Sequence, residues 1–223
     1  MLIIGLLGGY FIRPAVSPLL SKATLTPTAS AEVNTGDTSA SQPGLKDYVV
    51  AQTTHFMGDA NAPVTVIEFS DFQWPYCGKF ATDAGRQIIE KYVNSGKVRF
   101  GYLHFAFLGQ ESQWAAEARE CAGDQDKFWE FHDFLFEKQS GENQGAFSKD
   151  NLKKFAAELD LDQAKFDECL DSGKYTSLVT DQTSFLQQIG VQSTPSFIVN
   201  DQPVIGAQPF ETFKEMIEAD LSQ

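Results

Sequence analysis

The feature that most constrains the fold is an apolar strand pattern that is followed by a helix and then by a second strand. Residues 64–69 form a dense run of apolar and β-branched side chains, which predicts a buried strand. Residues 76–94 carry apolar side chains at helical spacing and end in an Asn-Ser-Gly stop. Residues 98–103 then alternate like a strand. This order predicts a βαβ unit with two parallel strands.

A long helical region follows, and the chain closes with two strands and a helix. The helical patterns cover residues 112–121, 125–139, 152–159, 163–170 and 175–189. Residues 196–199 and 203–205 indicate a hairpin around Asn200 and Asp201, and residues 210–221 form an amphipathic helix. The predicted fold class is α/β, with an all-helical insert between a βαβ unit and a ββα unit.

Charge and motif content exclude several functions. The 223 residues have a formal net charge of -13, whereas a nucleic-acid partner requires a basic face. The histidines His55, His104 and His132 are scattered without the spacing of a zinc site. No phosphate loop, calcium loop or serine–histidine–aspartate signature occurs. We therefore expect no nucleic-acid partner, no cofactor and no metal.

The N-terminal segment, residues 1–22, differs from the rest of the chain. Residues 1–12 are apolar and uncharged, but this run is shorter than the roughly 20 residues of a spanning helix and lacks the basic start of a signal peptide. A membrane anchor that starts upstream, a signal peptide and a segment docked on a membrane protein remain alternatives, of which we favour the anchor. Residues 23–47 are rich in Thr, Ser, Ala and Pro and predict a flexible stalk. The combination predicts an extracytoplasmic domain, in the periplasm or at the cell surface, that is tethered to a membrane through its N-terminus.

A short motif lies where the first strand of the βαβ unit meets its helix. Residues 74–77 read Trp-Pro-Tyr-Cys, which has the form of a Cys-x-x-Cys motif with tryptophan in the first position. Dithiol exchange needs one thiol that attacks the substrate and a second that resolves the mixed disulfide. Cys77 supplies the only sulfur in this motif, so the attacking thiol is missing at Trp74.

Further motifs occur in the same order as in a known family. They are residues 58–64 (Gly-Asp-Ala-Asn-Ala-Pro-Val), 68–73 (Glu-Phe-Ser-Asp-Phe-Gln), 75–78 (Pro-Tyr-Cys-Gly), 127–133 (Lys-Phe-Trp-Glu-Phe-His-Asp) and 190–197 (Gly-Val-Gln-Ser-Thr-Pro-Ser-Phe). From about Asp59 to the C-terminus the chain resembles the DsbA-like thioredoxin-fold thiol–disulfide oxidoreductases, in the branch tethered outside bacterial membranes. The resemblance implies a thioredoxin fold in two halves, residues 48–106 and 191–223, interrupted by a helical insert at residues 107–190.

The resemblance also implies two structural features. Thr194 and Pro195 match the cis-proline loop, which in this family lies against the redox motif and pairs with an extended substrate. Cys121 and Cys169 match positions that often form a structural disulfide across the helical insert. Cys77 is then the unpaired cysteine.

The roles of Cys77 and Glu68 follow from the same resemblance. In the family, the position of Cys77 holds the buried resolving thiol, and the position of Glu68 holds a buried acid that moves protons for the dithiol. We interpret Cys77 as an inert buried thiol. The alternatives are a thiol that acts alone, an intermolecular bridge and a metal ligand. Glu68 is then a core acid without a catalytic task, and Asp71 is an alternative for the proton-relay role.

Three functional hypotheses follow. The first is a binding or accessory subunit of a membrane-associated assembly that has lost dithiol activity and holds an extended peptide or protein partner through the Pro195 edge. The second is a thiol–disulfide oxidoreductase or isomerase that works through Cys77 alone, which requires an exposed thiol with a lowered pKa. The third is that Trp74 is not the native residue and that the parent protein is an ordinary dithiol enzyme. We favour the first hypothesis.

Overall fold

The computed structural model describes residues 44–222, and the statements on structure below concern this range. The predicted anchor at residues 1–22 lies outside it, as does the stalk up to residue 43. Helix α1 spans Leu45–Gln52, so the last three residues assigned to the stalk are helical. Within residues 44–222, no helix is long and apolar enough to cross a membrane.

A five-stranded mixed sheet forms the centre of the fold. Its strands are β1 (His55–Met57), β2 (Val64–Ser70), β3 (Val98–His104), β4 (Ser196–Val199) and β5 (Gln202–Ile205), in the spatial order β1-β3-β2-β4-β5. Strands β2 and β3 are parallel, with Val64 opposite Val98, and the other neighbours are antiparallel. The predicted βαβ unit and β4–β5 hairpin are confirmed. Strand β1 is an addition, because its three residues are too few to give a strand pattern.

The helices after α1 fall into three groups. Between β2 and β3 the chain is helical throughout, as α2 (Pro75–Phe80), a π-helical segment (Ala81–Gly85), α3 (Arg86–Ile88) and a second π-helical segment (Ile89–Val93). The insert comprises α4 (Gln110–Gly123), α5 (Phe128–Glu137), α6 (Lys149–Glu158), α7 (Gln163–Ser172) and α8 (Thr176–Gln188), and α9 (Phe210–Leu221) ends the domain. This arrangement confirms the predicted thioredoxin fold with an all-helical insert.

Both faces of the sheet are covered by helices. On one face, Phe80 of α2 and Phe213 of α9 pack against Phe197 of β4, with ring centroids 4.3 and 4.9 Å from it. On the other face, α1 and α8 bury side chains such as Val49 and Leu186 against β2 and β3. The insert forms its own core, which includes Tyr102 of β3 and Phe72 just after the end of β2. The carboxyl end of β2 and the start of α2 therefore lie where the insert meets the sheet.

Candidate functional site

The Trp74–Cys77 motif forms the start of α2. Trp74 is the residue before the helix and Pro75 opens the first turn, where the missing N–H of proline costs no helical hydrogen bond. The Cys77 amide donates to the Trp74 carbonyl over 3.0 Å. From the insert, Gln139 Nε2 donates to the carbonyls of Phe72 and Trp74, over 2.6 and 3.0 Å. The backbone of the motif is thus held by a hydrogen bond within its own turn and by the insert.

Cys77 is fully buried beneath this turn. Its Sγ lies 3.3 Å from the Thr194 hydroxyl, which itself donates to the Phe69 carbonyl over 2.7 Å. A hydroxyl has one hydrogen, so the thiol must be the donor in the first contact. Burial, together with the nearby charge of Glu68, raises the pKa of Cys77 to about 12. At neutral pH Cys77 is therefore a protonated thiol and a poor nucleophile.

Two aromatic side chains of the motif lie at the surface. The Tyr76 side chain is 57% exposed, and its ring centroid is 5.7 Å from that of Trp74. Trp74 is partly buried and packs against the core of the insert. The first position of the motif therefore holds a large aromatic side chain that packs against the insert.

The loop at Thr194 and Pro195 lies against the motif, as the contact between Cys77 and Thr194 demonstrates. The peptide bond between Thr194 and Pro195 is cis, as predicted. Gln192 and Ser193 precede it and are exposed. Within residues 44–222, no acceptor receives a hydrogen bond from the backbone N–H groups of residues 192–194. These donors are free to bind a polypeptide backbone.

Glu68 lies in the interior of β2, with an exposed fraction of 1%. Burial raises the pKa of its carboxyl to about 7, although the Ser70 hydroxyl and the Arg119 charge oppose the increase. Its Oε1 atom has no hydrogen-bond partner among the described residues. Its charge is close enough to raise the pKa of Cys77. The predicted buried acid is therefore present, but it makes the Cys77 thiol less acidic.

Asp71 has a different set of contacts. Its Oδ1 accepts hydrogen bonds from the Gln73 amide and the Ser112 hydroxyl, over 2.8 and 2.6 Å. Its Oδ2 accepts from the amides of Phe107 and Leu108, over 3.0 and 3.2 Å. Burial raises its pKa against the effect of these donors. Four donors occupy the carboxylate, which joins the end of β2 to the loop that enters the insert.

Two buried polar groups near the site were not identified from the sequence. The guanidinium of Arg119 is fully buried between aromatic rings, 3.7 Å from the centroid of Tyr102 and 3.6 Å from that of Phe128, and burial lowers its pKa to about 10. An arginine in a helical pattern usually lies in solvent, so no sequence pattern indicates that this side chain is buried.

The second missed group is Glu120, which joins two histidines. Its carboxylate lies 2.8 Å from His104 Nε2 and 2.9 Å from His55 Nε2. Burial acts to raise the pKa of Glu120, but these hydrogen bonds outweigh it and lower the pKa to about 2. The contacts tie α4 to β1 and β3. Among the described residues, no group of three or more His, Cys, Asp or Glu side chains is arranged to hold a metal ion.

The three cysteines of the chain all lie in the described range. Cys121 of α4 and Cys169 of α7 form a disulfide, which confirms the predicted pair. Cys77 is the free cysteine. It therefore has no second thiol within the chain with which to form a redox pair.

Comparison with known proteins identifies the family. The family model described as thioredoxin matches residues 50–219. "Disulfide bond formation protein D" of Bacillus subtilis (strain 168) is 32% identical over 190 residues, which are 83% of this chain and 82% of that protein. The chain belongs to the thioredoxin family, and disulfide bond formation protein D is one of its relatives.

Solved structures agree with this assignment. The oxidised crystal structure of BdbD from Bacillus subtilis covers 78% of this chain and 95% of its own, with a TM-score of 0.72 and 30% identity. Wolbachia pipientis alpha-DsbA1 has the same fold, with a TM-score of 0.67 and 23% identity over 75% of this chain and 90% of its own. The DsbA-like fold predicted from the sequence is confirmed.

A different kind of relative is much longer than this chain. "Na(+)/H(+) antiporter NhaA 1" of Salinispora arenicola (strain CNS-205) is 33% identical over 165 residues. The match covers 73% of this chain but only 24% of that protein. A domain similar to this one thus occurs as part of a protein named as a membrane transporter.

Proposed function

We propose that this chain is an extracytoplasmic thioredoxin-fold protein that binds extended polypeptide and does not perform dithiol exchange. The observation that carries the proposal is the state of Cys77, which is fully buried, protonated and without a second thiol. An intramolecular dithiol–disulfide cycle requires two cysteines in contact. Here the position three residues earlier is Trp74, and the remaining two cysteines are bonded to each other in the insert.

The alternative of an enzyme that works through Cys77 alone has less support. Such an enzyme needs an accessible thiolate with a lowered pKa. Cys77 has no exposed surface, and its pKa is raised to about 12. A substrate disulfide would first have to displace the Trp74 turn to reach the sulfur. We therefore assign Cys77 a structural role in this proposal.

The proposed binding surface consists of the motif and the loop beside it. The free N–H groups of residues 192–194 offer hydrogen bonds to the backbone of an extended segment. The rings of Trp74 and Tyr76 offer apolar area at the start of α2, where Cys77 contacts this loop, and partly exposed aromatic side chains of this kind are frequent at the centre of protein interfaces. Neither set of contacts needs a thiol.

A polypeptide without thiols tests this proposal. Reduced α-lactalbumin with carbamidomethylated cysteines is unfolded and unable to exchange disulfides. We expect the protein to bind it in a fluorescence titration, and we expect Cys77→Ser to leave the affinity unchanged. Tyr76→Ala should weaken binding at least about fivefold, because it removes an exposed aromatic anchor. The proposal fails if the blocked polypeptide does not bind, or if binding requires Cys77.

We further propose that residues 1–22 tether the domain to a membrane, where it serves as an accessory subunit. The Cys121–Cys169 disulfide supports an oxidising compartment. The antiporters that contain a similar domain support an association with membrane proteins.

Fractionation of cells that express the full chain tests the tether. We expect the protein to sediment with membranes and to be digested by protease added to spheroplasts. A variant that lacks residues 1–22 is the control and should not sediment. Recovery of the full chain in the soluble cytoplasmic fraction would contradict the tether, without affecting the proposal on polypeptide binding.

A further inference from the structure

An apolar groove lies at the β5 edge of the sheet. Three of the large apolar side chains that the fold leaves exposed, Leu45, Ile189 and Ile205, line this groove of about 250 Å³. None of its lining residues is charged, although the chain has a net charge of -13. The groove therefore favours an uncharged, apolar occupant.

The strand beside the groove has an open edge. Strand β5 is an edge strand of the sheet. The backbone N–H and C=O groups of its residues point alternately toward β4 and away from it. Pro203, which has no N–H, lies opposite Ile198, and the Gly206 amide donates to the Pro195 carbonyl over 2.8 Å. The backbone hydrogen-bonding groups of residues 202, 204 and 206 thus point toward β4. The Pro203 carbonyl and the Ile205 N–H point outward, where another strand could pair with them.

The groove is also continuous with the proposed binding loop. Gln192 and Ser193 are among its lining residues, and their backbone N–H groups are the free donors described above. An extended segment that contacts this loop would therefore reach the groove directly. A helix uses its backbone N–H and C=O groups for its own hydrogen bonds, so only an extended segment is able to pair with the Pro203 carbonyl and the Ile205 N–H.

We propose that an extended polypeptide adds to β5 as a sixth strand and inserts an uncharged apolar side chain into this groove. The inference rests on the proposed function and specifies its substrate class as a strand-forming segment with an apolar residue. Pairing with β5 uses the Pro203 carbonyl and the Ile205 N–H, and the inserted side chain contacts Leu45, Ile189 and Ile205. A second copy of this chain is the less favourable occupant, because it would bring two domains of charge -13 together.

A selection from a random heptapeptide library displayed on phage, panned against the full chain, identifies the preferred segment. We expect enriched peptides to carry an apolar residue that is flanked by residues favourable in β-strands, such as β-branched and aromatic ones. Ile205→Asp should weaken binding of a synthetic enriched peptide at least about tenfold, because a charge replaces the apolar contact. Ile205→Leu should retain binding, and so should Tyr48→Asp, which alters an exposed ring outside the groove lining.

Hydrogen exchange of the Ile205 amide provides the direct readout of strand addition. This amide should exchange rapidly in the free protein and become protected when the peptide binds. If peptides bind but Ile205→Asp has no effect or the Ile205 amide stays unprotected, the inference is wrong and the proposed function stands. If no peptide is enriched, the inference is wrong, and the proposed function is decided separately by the binding of blocked α-lactalbumin. A dimer that Ile205→Asp dissociates would show that a second copy occupies the groove.

Discussion

Two effects with opposite sign act on Cys77. It lies in the first turn of α2, where the partial positive charge of a helix N-terminus lowers the pKa of a thiol. Burial and the charge of Glu68 raise the pKa of the thiol. These two effects outweigh that of the helix, since the pKa of Cys77 is about 12. Position at a helix start is therefore not sufficient for reactivity; the sulfur must also reach solvent.

Alkylation with iodoacetamide at pH 7.5 tests the state of this thiol. We expect native Cys77 to react more than roughly a thousandfold more slowly than an ordinary cysteine, since its thiolate fraction is lower by about that factor. Unfolding without a reductant should give one label per chain by mass spectrometry, because Cys121 and Cys169 are bonded. Rapid labelling of the native protein would support the single-thiol enzyme.

The buried carboxyl of Glu68 gives a pH dependence of stability with a defined sign. Its pKa is about 7 in the folded state and 4.5 when unperturbed, so the folded protein retains a proton that the unfolded chain has released. The free energy of unfolding therefore decreases as the pH rises from 4.5 to 7. The Glu68→Gln variant lacks the titrating carboxyl. As the pH rises from 4.5 to 7, its free energy of unfolding should therefore increase relative to that of wild type by roughly 3 kcal/mol.

Urea unfolding of both proteins between pH 4.5 and 8 measures this difference. Glu90→Gln, a change at an exposed glutamate, serves as the control. A difference between Glu68→Gln and wild type that does not change with pH would contradict the account of Glu68 as an acid whose pKa is raised by burial.

At the scale of elements, the disulfide joins α4 to α7 within the insert and closes a loop of 48 residues. A loop of this length restricts the unfolded chain enough to stabilise the protein by about 4 kcal/mol. Dithiothreitol should therefore lower the free energy of unfolding by that amount in wild type. The double variant Cys121→Ala/Cys169→Ala should have the lower free energy of unfolding from the start, and dithiothreitol should not change it further. An unchanged stability of the reduced wild type would contradict this estimate.

The elements differ in how well the sequence predicted them. The pattern at residues 196–199 and the helix at residues 210–221 match β4 and α9, because both have a buried face and clear ends. Helix α1 was missed because Val49 is its only buried residue, which leaves no apolar stripe to recognise. The π-helical segments at Ala81–Gly85 and Ile89–Val93 have no signature in side-chain periodicity.

The same contrast holds for the site. The cis bond at Pro195 and the Cys121–Cys169 pair were predicted from motifs that match a family. The contact between Cys77 and Thr194 joins residues 117 positions apart, so only the folded chain shows that the thiol is a hydrogen-bond donor. The aromatic surroundings of Arg119 likewise come from β3 and α5, which local patterns do not bring together.

At the scale of the whole molecule, the fold and its usual chemistry are separable. The thioredoxin fold positions a strand, a helix start and a proline loop against one another, and these parts are retained here with a single buried thiol. The backbone donors that we propose to bind a polypeptide do not depend on sulfur. This member of the family thus keeps the motif turn and the cis-proline loop in contact while Cys77 has no second free thiol beside it.

The oxidation of a reduced model protein by the full chain and by Trp74→Cys tests this account most directly. In a buffer of reduced and oxidised glutathione, which supplies the oxidant, reduced ribonuclease A regains activity as its disulfides form, and the rate is followed by the hydrolysis of its substrate. We predict that the wild-type chain gives the rate of buffer alone and that Trp74→Cys, which supplies the missing thiol, accelerates it at least about tenfold, whereas Trp74→Ser does not. Catalysis by the wild-type chain that disappears in Cys77→Ser would contradict the account.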